Sequence, residues 1–115
     1  MEQMRAFFAP VLAGTDTVVV PEADGVVGGR TRTTNSTAII NTAMISNTDG
    51  EQNVLVNITI FDGTNTTIIG QNIPIPAGAT LVLDKPITLE PLDRFRVFTA
   101  HSNDVSVHCS VIEVT

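Results

Sequence analysis

Apolar and polar residues alternate with a period of two through most of this chain, which is the signature of half-buried strands. Val54, Val56, Ile58 and Ile60 share one face of a segment, with Leu55, Asn57, Thr59 and Phe61 on the other. Near the end, Val105, Val107, Cys109 and Val111 face one way and Ser106, His108 and Ser110 the other. Ala38 to Ser46 reads as a further strand, with Ile39 and Ile45 on one face and Ile40 and Met44 on the other. Thr17 to Val20 is a short strand stopped by Pro21. From residue 73 onward, strands and turns follow one another closely. Leu81-Val82-Leu83, Ile87-Thr88-Leu89 and Arg94 to Phe98 are separated by Asp84-Lys85-Pro86 and Glu90-Pro91-Leu92-Asp93. Two other turns stand out. Asn47-Thr48-Asp49-Gly50 carries an Asp-Gly hairpin cue, and Asp62-Gly63-Thr64-Asn65 turns the chain into Thr66 to Ile69. Ile73 and Ile75 alternate around Pro74, which suits a sheet edge. Seven or eight short strands at near-regular spacing predict an all-β fold, an antiparallel β-sandwich or jelly roll. Val54, Val56, Ile58, Ile60, Leu81, Leu83, Phe95, Val97, Val105, Val107, Cys109 and Val111 are its expected core.

Two segments depart from this pattern. Residues 21–37 are rich in Gly, Thr and turn formers and read as loop or irregular edge. Residues 1–16 are apolar and sparsely charged. Met4, Phe7 and Phe8 have helical spacing, so a helical turn ending near Pro10 is one reading and an extended arm is another. The chain divides accordingly into a short N-terminal arm, 1–16, and one β domain, 17–115. Burying one Phe stabilises by roughly 1.5–3 kcal/mol. Phe7 and Phe8 with Met4 therefore suit an arm anchored on a neighbouring subunit, with Arg5 as its polar tether; the alternative is that they cap their own domain.

Composition narrows the function. Charged residues make up 16% of the chain, and sixteen Thr and eight Asn fill polar positions instead. That is below the ~25% usual in soluble domains and fits surface hidden in an assembly. The net charge of −6 opposes direct nucleic-acid binding, which needs a basic footprint. With no Trp or Tyr, flat stacking platforms for sugars or bases are not expected. Neither a signal-peptide pattern nor a run near the ~20 apolar residues of a membrane span is evident, so synthesis in a cytoplasm and work away from membranes are expected. Cys109 is alone, so no intrachain disulfide forms.

Candidate chemistry is thin. His101, His108 and Cys109 invite a metal or thiol site, but adjacent strand residues point to opposite faces, so a buried structural Cys109 and an exposed His108 are expected. Asp84, Glu90 and Asp93 sit at turns, where carboxylates accept backbone N–H bonds. Gly28-Gly29 lacks the following helix and Lys of a phosphate loop. The Asn-x-Thr/Ser triplets at Asn35, Asn57 and Asn65 follow from Asn and Thr abundance. Arg30 with Arg32, and Arg94 with Arg96, have i, i+2 spacing and line a strand face, for salt bridges or for a partner. No constellation supports an enzyme, and no cofactor or metal is expected.

The stretch from Asn53 to Thr115 resembles the C-terminal part of small virion structural proteins of tailed bacteriophages. The pieces that match, in order, are the Asp62-Gly63-Thr64 turn after a strand, the Ile-Pro-Ile-Pro-Ala-Gly-x-Thr-Leu-Val-Leu-Asp segment of residues 73–84, the Pro-Ile-x-Leu-x-x-x-Asp segment of 86–93, and the Val-x-Val ending of 105–115. Residues 1–37 match less well, with Val20-Pro21-Glu22-Ala23-Asp24-Gly25 in place of the usual turn-rich segment. The resemblance implies a capsid decoration (cement) protein on the surface of a phage head. Its partners would be the major capsid protein and other copies of itself, a homotrimer favoured. Contacts would form by edge-strand pairing and apolar burial, with Met4, Arg5, Phe7, Phe8, Arg30 and Arg32 as candidate contact residues. The alternatives are a head-tail or collar component, and a receptor- or carbohydrate-binding fibre module.

Overall fold

The computed structural model describes residues 2–100 and 104–115, and every regular element among them is a strand. In chain order these are β1 (Glu2–Val11), β2 (Thr17–Val20), β3 (Val26–Val27), β4 (Arg30–Thr31), β5 (Thr37–Asn47), β6 (Val54–Phe61), β7 (Thr66–Ile75), β8 (Thr80–Leu83), β9 (Ile87–Leu89), β10 (Arg94–Thr99) and β11 (Val105–Val114). The larger sheet runs β1-β11-β5-β8, with β9 also pairing β5; the smaller runs β2-β10-β6-β7, and β3 and β4 form a separate hairpin. All pairings are antiparallel. Side chains from both sheets meet in one apolar core, with Phe7, Ile40, Ile45, Ile58, Phe95 and Cys109 among its fully buried members.

Residues 2–11, read as a helical turn or as an extended arm anchored on a neighbouring subunit, form neither. They make β1, paired along its whole length with β11 of the same chain, from Glu2↔Val114 to Val11↔Val105. A ten-residue antiparallel ladder satisfies the backbone where a single helical turn could not. Phe7 and Val11 are fully buried, so β1 is part of the sheet and of the core.

Most of the expected core is buried; Ile60, Leu81 and Leu83 pack against it only partly buried. β5 departs from strict alternation. Its inward residues are Ala38 and Ile40, then Ala43 and Ile45, so Ile39 and Ile45 do not share a face. The cause is a bulge: Val111 pairs Ile40 and Ser110 pairs Thr42, leaving Asn41 as the extra residue that resets the phase. The Asp49-Gly50 turn is likewise no hairpin, because both flanks of β5 are already occupied by β11 and by β8 with β9. It carries the chain from one sheet to the other. Asn47, nearly fully buried, fixes this crossing by donating to the carbonyls of Gln52 (2.8 Å) and Ile75 (3.1 Å). The Asp62 turn is a true hairpin joining β6 and β7, with Asp62 accepting from the N–H groups of Thr64 (2.9 Å) and Asn65 (2.6 Å).

The loop after β4 is held by one buried cation. Arg32 is fully buried and donates to five backbone carbonyls: Pro21 (2.9 Å), Asp93 (2.9 Å), Ser36 (2.7 Å), Leu89 (3.0 Å) and Glu90 (2.9 Å). Its Nε also donates to the Ser36 hydroxyl. Desolvation lowers its pKa from the ordinary value, opposed by the charges of Glu113, Asp93 and Glu22. Glu113 is buried beside this loop and accepts from Arg5 Nη1 (3.0 Å), the Thr33 N–H (3.0 Å) and the Thr33 hydroxyl (2.8 Å).

Candidate functional site

The face of the larger sheet turned away from the core is built by the outward positions of β1, β11, β5, β8 and β9, and strand register arranges them in rows across the sheet. One row is Pro10, Ser106, Ser46 and Thr80. The next is Phe8, His108, Met44 and Val82. The third is Ala6, Ser110 and Thr42. The fourth is Met4, Ile112, Ile39 and Thr88. Small residues thus alternate with large ones, row by row.

The large residues are well exposed: Met4 75%, Phe8 43%, Met44 40% and Val82 51%. A shallow groove of about 420 Å³ follows the Pro10 row, bounded by Phe8, Met44 and His108 of the next. The rings of Phe8 and His108 stack with centroids 6.0 Å apart and planes within 3° of each other. The Arg30 guanidinium lies 4.3 Å from the Phe8 ring centroid, a cation-π contact that pins the ring at the rim. Arg30 reaches it from the β3–β4 hairpin, whose Gly28 and Gly29 take φ of 59° and 77°. Glycine adopts such φ without strain, which lets the two-residue turn close.

None of the four rows carries an Asp, Glu, Lys or Arg, although the chain holds twelve acidic and six basic residues. Glu2 stands beyond one end of the face, and Asp84 follows β8 at its edge. An exposed antiparallel sheet face is ordinarily polar and charged. The outer face of the smaller sheet is different: Arg94 and Arg96 both lie over Phe61, at 5.3 and 4.4 Å, and Arg94 pairs with Glu22.

The six candidate contact residues divide. Met4 and Phe8 are on the face and Arg30 is at its rim. Phe7 is in the core. Arg5 is committed to Glu113 and to the Thr31 carbonyl. Arg32 is wholly buried and cannot meet a partner. The expected sharing of a strand face by Arg30 and Arg32 fails: β4 ends at Thr31, and Arg32, just past its end, is buried while Arg30 reaches the Phe8 ring. Met44, Val82, Ile39 and Ile112 lie on the same face and were not among the candidates; the available signal was the run of outward positions in β11 with no charge, Ser106, His108, Ser110 and Ile112.

Other candidate chemistry resolves into structure. Cys109 is a buried free thiol whose pKa desolvation pushes up to about 12. Asp93 accepts from the Glu90 N–H (2.9 Å) and closes its turn. His101 lies outside the described residues. Among the described residues no three His, Cys, Asp or Glu side chains gather as metal ligands would. No protein-family model matches the chain, and no curated protein matches it either.

Proposed function

We propose that this chain is a non-enzymatic structural protein of a phage virion, a decoration protein that binds and stabilises the head. In this reading the two sheets pack through their common core as a β-sandwich, a rigid support for the outer face of the larger sheet. That face makes the contacts with other virion subunits, copies of the chain included. The observation that carries the reading is the absence of charge from four successive rows of an exposed sheet on a chain of net charge −6. Large exposed apolar patches mark protein contacts, and interface centres are depleted of charge. The resemblance of residues 53–115 to phage virion proteins supplies the setting.

The test is co-sedimentation of the purified protein with empty, expanded capsids of the parent phage, with host cells as the competing target. Binding to capsids, lost on Phe8→Glu, is the expected outcome. Binding to cells alone would replace the reading with a receptor-binding fibre module. A reconstruction of the particle separates decoration from a collar component: density repeated over the head lattice supports the first, and density at one vertex refutes it.

A further inference from the structure

We infer that the charge-free face is self-complementary and that its occupant is a second copy of the same chain, related by a two-fold axis lying in the plane of contact. This names the occupant of the face on which the proposed function rests.

The inference comes from the order of the rows. Along the strands they run small, large, small, large: the Pro10 row, the Phe8 row, the Ala6 row and the Met4 row. On β1 and β11 successive rows are two residues apart, about 6.8 Å along a strand, and on β5 the bulge at Asn41 adds one residue between the third and fourth rows. Reversal turns this series into large, small, large, small. A two-fold axis parallel to the rows performs that reversal. If it passes midway between the Phe8 and Ala6 rows, each copy's Phe8 ridge seats on the other's Ala6 row. Each Met4 ridge then seats on the other's Pro10 row, where the groove already lies. Both copies use the same surface, as an isologous two-fold contact requires. Facing sheets with interdigitated side chains pack about 10 Å apart.

Charge and area agree with this occupant. Two copies of net charge −6 repel, and the four rows set no carboxylate against another. Three strands about 33 Å long, with the shorter β8 and β9 beside them and about 4.8 Å between neighbours, present a flat area of roughly 600 Å². That approaches the ~800 Å² per partner of a standard interface, before the relief of the ridges is counted. A two-fold contact closes on two copies, so it predicts a dimer in solution where the resemblance favoured a trimer.

Sedimentation equilibrium of the purified full chain tests this. The dimer mass is expected at micromolar concentration. Met44→Glu places a carboxylate on the ridge beside the axis and should weaken dimerisation by about tenfold or more. Ser110→Trp fills a small-residue row without adding charge and should do the same, which guards against a folding defect in one variant. Leu55→Glu, exposed on the outer face of the other sheet, should leave the dimer intact. A monomer, a trimer, or a dimer indifferent to both face variants would overturn the inference. Capsid binding is scored separately on the same proteins. A wild-type monomer that binds capsids sinks the two-fold contact and spares the proposed function; a dimer that binds none does the reverse.

Discussion

Replacing Arg32 tests whether a buried cation with no carboxylate hydrogen-bonded to it holds the loops of this fold together. Its guanidinium serves six acceptors: five backbone carbonyls, drawn from three separate stretches of chain, and the Ser36 hydroxyl. Lysine keeps the charge but has three N–H donors against five. In Arg32→Lys about three acceptors lose their donor, and each buried polar group left unpaired costs about 1–3 kcal/mol. Relaxation and water entry reduce that sum, so we expect a loss of roughly 3 kcal/mol. Arg32→Met removes every donor and takes a nearby positive charge from the buried Glu113, which keeps only Arg5; truncating one partner of a buried network costs about 3–5 kcal/mol. Against the 5–15 kcal/mol typical of whole domains, either change is large. At about 4 °C per kcal/mol for a domain of this size, Arg32→Lys should lower Tm by about 12 °C. Urea unfolding followed by circular dichroism gives the number. If Arg32→Met lies within 1 kcal/mol of the parent, as a surface arginine would, the loops do not depend on it and the reasoning fails.

Three further outcomes follow from burial and hydrogen bonding. Phe7→Ala removes a fully buried ring and should cost about 3–5 kcal/mol, whereas Phe8→Ala, one residue on and on the exposed face, should cost under about 1 kcal/mol; denaturant melts of the pair decide. Cys109 should resist thiol reagents in the native protein and react at once in denaturant, because its raised pKa and burial keep it a protonated thiol; rapid native labelling would contradict this. The Asp62 carboxylate is held below its ordinary pKa by the N–H groups of Asn65 and Thr64. A depressed carboxylate stabilises the fold above its unfolded pKa, and that stabilisation fades as pH falls through the folded value. The β6–β7 turn should therefore loosen only in acid below about pH 4, an NMR titration should place Asp62 under 3.8, and Asp62→Asn should flatten the profile.

How much of this was legible in the sequence depended on whether local pattern or tertiary pairing decided the outcome. β6 and β11 were readable because each carries its own alternation from end to end, and Cys109 could be placed in the core from its two valine neighbours at i±2. β5 was readable as a strand but not in phase, since one bulge residue, Asn41, reverses which isoleucines face inward, and nothing local marks it. β1 was obscured because Met4, Phe7 and Phe8 fit a helix as well as a strand; only β11, more than ninety residues away, decides between them. Arg30 and Arg32 looked equivalent, yet the end of β4 sends one to the rim of the face and the other into the interior. The rows were out of reach for the same reason. That His108 is outward follows from alternation, but that Phe8 and Met44 flank it follows from register, which the chain sets through its turns and core as a whole.

In the proposed assembly, the edges of the two sheets favour association through a face over strand pairing, which the resemblance had allowed. β7 is ten residues long, lies at an edge and carries no charge, the profile of a strand that recruits others. Its ladder to β6 is broken twice. Ile69 has no residue opposite, and Gln71 with Asn72 stand against Asn57, with Asn72 at φ 52°. Pro74 then lacks a backbone N–H. Bulges and proline are the devices that stop a foreign strand from extending a sheet. At one edge of the larger sheet, β8 and β9 are four and three residues long, parted by Asp84-Lys85-Pro86. Near β1, the carbonyl of Phe8 lies close to Gly28 of the β3–β4 hairpin. The edges are thus short, interrupted or approached by another element, while the large face beside them carries neither a charge nor a proline at its centre. A chain guarded in this way excludes open-ended strand addition and keeps a flat surface for a contact of fixed geometry, which is what a closed assembly or a regular lattice requires of its subunits.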